Sequence, residues 1–212
     1  MTDPKSDAET MYGPDEAQNP SPGTARIELW YWPIGYHGHT FLRFIEADGK
    51  VQELHGYPES RNPGSKPSSD DRPDRSIADG SKLSVVHDSF GPSGKTKYDD
   101  SRHIATVASG PSDRISEIWQ RGMGARNAIN DDKRTFDYKV ADPSYFLGSN
   151  GGQIQNSNSA IYTLGQAMKL DLDGPIRKAG IMRKFPGWGR DLFDPTYDRY
   201  LASPPFPVKD AR

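Results

Sequence analysis

Apolar residues first recur at every second position in residues 27–32, where Ile27, Leu29 and Tyr31 alternate with Glu28 and Trp30, the period of a strand with one buried face. A second β-prone run, residues 40–45, carries Phe41, Leu42, Phe44 and Ile45, and residues 33–38 read as the link between the two. Asp48 and Gly49 give a tight-hairpin signal, so residues 50–55 return as a third strand. Residues 83–87 and 103–108 read as two more, separated by the Gly-, Ser- and Lys-rich residues 91–97. The period then changes. Ile115, Ile118, Trp119 and Ile129 fall on one helical stripe between Pro111 and Asn130, with Ser112 as candidate cap and Gly122 and Gly124 as weak points. Residues 136–140 are expected as a short strand. A polar turn at residues 153–159 runs into a second helix ending near Leu170, with Ile161, Leu164 and Met168 at i, i+3 and i+7. Several antiparallel strands followed by helices predict an α+β fold, with the sheet packed against the helices.

The flanks differ from this core. Residues 1–24 are acidic, rich in Gly, Pro, Ser and Asn and without apolar periodicity, and are expected to be a disordered tail. Residues 25–195 are expected to form a single domain, and residues 196–212 a C-terminal tail along its surface. Residues 56–80 have little to bury and read as a long surface loop, and the Phe-Pro-Gly-Trp-Gly-Arg-Asp-Leu run at residues 185–192 as a rigid aromatic turn. Composition fits: of 212 residues only 33% are hydrophobic, while Gly (21) and Pro (18) are plentiful, which suits one domain with long extensions.

Charge and cysteine usage narrow the chemistry. A formal charge of −2 gives no general electrostatic case for nucleic acid. There is no apolar run of about 18 residues to span a membrane. No basic-then-apolar N-terminus signals secretion, so a soluble chain is expected, its location open and a signal-independent export route compatible. The absence of cysteine removes disulfides, thiolate metal sites and a thiol nucleophile, and leaves the compartment open.

Three side chains from separate elements are candidates for chemistry: His39 opening a strand, His55 closing the next, and Ser157 at a helix start. The unpaired first-turn N–H groups and the positive end of the helix dipole stabilise charge developing on an attacked carbonyl or an alkoxide. An imidazole of near-neutral pKa can take a hydroxyl proton and return it to a leaving group, while a second polar group fixes its tautomer. The plainer alternative is that Asn156, Ser157 and Asn158 only cap the helix and the histidines are ordinary hydrogen-bonded residues. His37 and His39 share a strand face and with His55 or an Asp have the makings of a zinc site, but no cysteine or His-Glu-x-x-His helix supports one, and no metal or other cofactor is expected. His87 and His103 have no motif around them. Trp30, Trp32, Trp119 and Trp188 read as packing residues, Trp188 also as a candidate border of a substrate groove, and Lys178, Arg183, Lys184 and Arg190 as a solvated basic face.

The run Tyr36-His37-Gly38-His39-Thr40-Phe41-Leu42-Arg43-Phe44, then Asp48-Gly49-Lys50-Val51-Gln52-Glu53-Leu54-His55-Gly56, then Asn156-Ser157-Asn158-Ser159 before a helix resembles the circularly permuted branch of the papain-like NlpC superfamily, which includes the lecithin retinol acyltransferase-like enzymes. The resemblance covers roughly residues 27–170. It implies a permuted papain-like domain in which His39 is the general base, His55 the orienting group and Ser157 the nucleophile, with backbone N–H groups around Ser157 and Asn158 binding the oxyanion and Asn156, Asn158 and Trp188 lining the site. The implied activity is acyl hydrolysis or transfer at an amide or ester, on a cell-wall peptide or a lipid. By analogy alone, the resemblance extends to a bacterial effector with a cognate inhibitor protein. The chain departs from the family at one position: Ser157 stands where the family has cysteine, and a hydroxyl is far harder to deprotonate than a thiol. Serine is then the native nucleophile, a replacement that silences a cysteine enzyme, or the mark of a domain retained for binding. The Asn-Ser-Asn-Ser spelling with a downstream Pro-Gly-Trp is similar to that of poorly characterised bacterial members and favours the first.

Overall fold

The computed structural model describes residues 23–58, 82–91, 96–131, 136–138 and 154–194. Five strands, β1 (Thr24–Ile34), β2 (His37–Ile45), β3 (Val51–Pro58), β4 (Leu83–Phe90) and β5 (Arg102–Pro111), form one antiparallel sheet in the order β4-β3-β2-β1-β5. Helices α1 (Ser112–Asn130), α2 (Ser157–Met168) and α3 (Asp173–Lys178) follow, then a 3₁₀ turn at Met182–Lys184. The class is α+β.

The strands outrun their apolar cores. The link expected over residues 33–38 shrinks to Gly35 and Tyr36, because Gly35 takes a φ of 57° and closes a tight hairpin. At the next hairpin Gly49 has a φ of 83° and Glu46 N–H donates to Lys50 C=O at 2.9 Å. β3 continues to Pro58 where a loop was expected from residue 56, and residues 59–81 lie outside the described part. So do residues 1–22 of the tail expected over 1–24, whose last residue, Thr24, instead opens β1, and the whole tail expected over 196–212. Of the expected strand at 136–140, Phe136 C=O accepts from Leu83 N–H at 2.6 Å and Asp137 makes an isolated bridge with Lys82, while residues 139 and 140 lie outside.

Helices α1 and α2 cover one face of the sheet. There Ile27, Leu29, Leu42, Phe44 and Leu54 meet Ile115, Trp119, Ile129, Ile161, Leu164 and Met168 in one cluster. α1 runs unbroken through Gly122 and Gly124. A Cβ on Gly122 would collide with the end of Met168, so the missing side chain lets the two helices approach. Ser112 is not the cap expected of it: Pro111 holds that position without a side-chain bond, and Ser112 N–H donates to Gly23 C=O at 3.1 Å where β5 turns into the helix.

In the central strands the other face is buried as well, with Glu28, Phe41, Arg43, Glu53 and His55 covered and Trp30 half-buried. Pleat alternation and the pairs Glu28↔Arg43, Arg43↔Glu53 and Phe41↔His55 put these side chains together there. Glu28 accepts from Arg26 Nε at 2.5 Å and from Trp30 Nε1 at 2.7 Å, and the Arg43 guanidinium lies 5.1 Å from the Trp30 ring centre. Charge pairing and cation–π contact make burial of these polar residues tolerable.

Candidate active site

The start of α2 is assembled from local polar residues. Asn156 has extended backbone and caps the helix, its Oδ1 accepting from Asn158 N–H at 2.9 Å, while Ser159 Oγ accepts from Asn156 N–H at 3.3 Å. Ser157 is therefore the first helical residue.

That helix start is inserted into a split in the sheet. β2 continues back to His37 along β1, and β3 continues to Pro58 along β4, yet the β2–β3 register ends at Phe41↔His55. Beyond that pair the strands separate. The Asn158 side chain supplies the missing rungs: its Oδ1 accepts from Thr40 N–H at 3.0 Å and from Thr40 Oγ1 at 2.9 Å, and its Nδ2 donates to Gly38 C=O and Pro186 C=O, each at 3.1 Å. The amide thus brackets His39 on both sides. On the β3 side, Gly56 leaves room for Ser157, since a Cβ there would lie 2.7 Å from the Ser157 Cα. The 185–192 turn closes the arrangement: Ser159 Oγ donates to Gly187 C=O at 2.9 Å, and Gly187 has a φ of 82°.

The two histidines meet. His39 Nε2 lies 3.3 Å from His55 Nδ1, with the rings near-parallel at 5.6 Å between centres. His55 Nε2 lies 3.0 Å from Glu53 Oε2, which also accepts from Lys97 N–H at 3.3 Å. Tyr98 and Tyr57, whose hydroxyls hydrogen-bond to each other, pack around the pair. Burial, helped by the Lys97 charge, lowers the His55 pKa to about 3 against the opposing pull of Asp88. Burial likewise raises Glu53 to about 7 against the pull of Arg43, and raises the Tyr98 phenol. His55 is thus a neutral imidazole at physiological pH, which must donate through one nitrogen and accept through the other.

Ser157 is 5% exposed, and among the described residues its hydroxyl hydrogen-bonds to neither histidine. Asn156 and Asn158 both hold the helix start in place. The Asn158 N–H in particular is taken by Asn156 and is not free for an oxyanion. Trp188 is half-buried, donates from Nε1 to Asp173 Oδ1 at 2.7 Å and meets Tyr162 edge-on. Arg190 is buried rather than on a solvated face, whereas Lys178 and Lys184 are exposed. His87 bonds to Gln52 at 2.8 Å, and His103 lies edge-on to Trp30. Among the described residues no three His, Cys, Asp or Glu side chains converge as metal ligands, and no helix is long and apolar enough to cross a membrane.

No protein-family model, curated protein or solved structure matches this chain. The site therefore rests on its own geometry. Sequence reasoning missed Glu53, and the available signal was its place two residues before His55, on the same strand face.

Proposed function

We propose that the protein is an acyl hydrolase or transferase of permuted papain-like type, acting at an amide or ester bond. The observation that carries this reading is the bracketing of His39 by Asn158, which docks the helix start bearing Ser157 beside a histidine already paired to His55. His39 takes the proton from the Ser157 hydroxyl as its oxygen bonds to the substrate carbonyl carbon. It then returns that proton to the leaving amine or alcohol as the tetrahedral intermediate collapses. Water, or an acceptor hydroxyl or amine, releases the acyl group by the reverse sequence. The Ser157 N–H and the positive end of α2 stabilise the oxyanion, and Trp188 borders the substrate. The resemblance of the His39, His55 and Asn156-Ser157 runs to NlpC-type enzymes supports cell-wall peptides or lipid acyl groups as substrates, and by analogy a bacterial effector role with an inhibitor protein as partner.

A second reading is a non-catalytic domain that keeps the fold for binding. The missing hydrogen bond between Ser157 and His39 favours it. Turnover of acyl esters of graded chain length and of peptidoglycan stem peptides separates the two. The enzymatic reading expects activity in the unaltered protein and its loss in Ser157→Ala. Activity seen only in Ser157→Cys identifies a silenced cysteine enzyme, and inactivity of all three forms leaves the binding domain.

A further inference from the structure

Glu53 stands beyond the two histidines and has no part in the acyl chemistry outlined above. Its side chain is completely buried, with Oε2 3.0 Å from His55 Nε2 and Oε1 3.7 Å from Arg43 Nε. Taking a carboxylate and a guanidinium out of water is costly, and well-packed apolar residues of similar size often serve stability as well or better. What the carboxyl does that an apolar side chain cannot is accept a hydrogen bond from the His55 ring.

We propose that Glu53 is a positioning residue that fixes the tautomers of both histidines, by accepting a hydrogen bond from His55 Nε2–H. This rests on the reading of His39 as base for Ser157. With its proton held on Nε2, His55 presents the Nδ1 lone pair to His39, 3.3 Å away, and receives the His39 Nε2–H. The Nδ1 of His39 is then left unprotonated and basic. In the opposite arrangement His55 donates from Nδ1, His39 must accept at Nε2 and carry its own proton on Nδ1, and no base remains for a hydroxyl. The Lys97 N–H, which donates to the same Oε2, keeps that oxygen an acceptor. The charged and titratable groups around the carboxyl are Arg43 on β2, Asp88 opposite it on β4, His55 on its own strand, and Lys97 and Tyr98 from the segment before β5. Burial leaves His55 uncharged at neutral pH, so the pair conveys tautomer choice rather than charge.

The test uses full-length protein with ¹⁵N-labelled histidine. Long-range ¹H–¹⁵N spectra at pH 7.5 read each ring's tautomer, and the rate of fluorophosphonate labelling at Ser157 reads activation. The unaltered protein is expected to hold His55 as the Nε2–H form. Glu53→Leu shifts it toward Nδ1–H and slows labelling by up to about 100-fold, the lower end of what a positioned general base contributes. Glu53→Gln, whose carbonyl oxygen can replace Oε2 as acceptor, keeps the Nε2–H form and recovers the greater part of that loss. An Nδ1–H His55 in the unaltered protein overturns the inference, even if Glu53→Leu fails to fold. So does a folded Glu53→Leu with tautomers and rate unchanged. If Ser157 does not label at all, the acyl reading fails, while the tautomer spectra still decide whether Glu53 governs His55.

Discussion

Asn158 is the residue on which the insertion of α2 into the sheet depends, and its replacement has a cost that follows from its partners. The side chain is 2% exposed and bonds to Thr40 N–H, Thr40 Oγ1, Gly38 C=O and Pro186 C=O. Asn158→Ala leaves three buried main-chain groups without these partners. At roughly 1–3 kcal/mol for each unsatisfied buried group, partly offset where water enters the space, the loss is about 3–5 kcal/mol. That is a large part of the roughly 5–15 kcal/mol that holds a typical domain folded. Asn158→Asp sharpens the test. A carboxylate still accepts from Thr40 but turns an oxygen toward two carbonyl oxygens that Nδ2 now contacts at 3.1 Å. Only the protonated acid can donate to one of them, so the folded protein raises the pKa of the new side chain. It then binds a proton that the unfolded chain releases, and by linkage the variant loses stability as pH rises from about 4 through that raised value. Urea unfolding followed by tryptophan fluorescence measures both. The expected order at pH 7 has Asn158→Asp at least as destabilised as Asn158→Ala, with the gap closing toward pH 5. A loss below about 1 kcal/mol for Asn158→Ala, or an Asn158→Asp gap that ignores pH, refutes the claim that this amide replaces the missing rungs.

Two further outcomes follow from the same region. Gly56→Ala places a Cβ 2.7 Å from the Ser157 Cα and 3.1 Å from its carbonyl oxygen, backbone atoms that cannot rotate away. The expected cost is about 1–3 kcal/mol, read as a lower urea midpoint, together with slower labelling of Ser157, and an unchanged midpoint contradicts the contact. The His55–Glu53 pair makes a prediction about pH. Glu53, raised from 4.5 to about 7, contributes stability that is full below pH 4.5 and is lost as pH rises through 7. His55, lowered from 6.5 to about 3, contributes stability that is full above pH 6.5 and is lost as pH falls toward 3. Between pH 4.5 and 6.5 the two slopes oppose and nearly cancel. Glu53→Gln removes one of them, so its stability should climb with pH across that window by up to about 1.4 kcal/mol per unit relative to the unaltered protein. Parallel stability curves for the two proteins would show that the pair does not titrate as described.

The sheet was legible because its first strand keeps a two-residue period, the next ones are β-prone runs, and its first two hairpins carry Gly or Asp-Gly at the turn. The nearness of His39 and His55 follows from the same hairpin, and the helix start at Ser157 from the Asn beside it. Other features were not legible, for physical reasons. The burial of Glu28, Arg43 and Glu53 was not legible, since alternation cannot tell a solvent face from one sealed by cross-strand charge pairs. The split between β2 and β3 leaves no local trace, because Asn158 substitutes for a strand rung 118 residues away from Thr40 and looks in sequence like one more capping residue. Gly122 looked like a weak point in α1 because Met168, whose end would meet any side chain there, belongs to another helix.

The most direct measurement is peptide mapping by mass spectrometry after treatment with a fluorophosphonate. The account predicts one phosphonyl adduct, on Ser157, that disappears in a folded His39→Ala variant. An unaltered protein that stays unlabelled, or an adduct that forms as fast without the His39 imidazole, would contradict it.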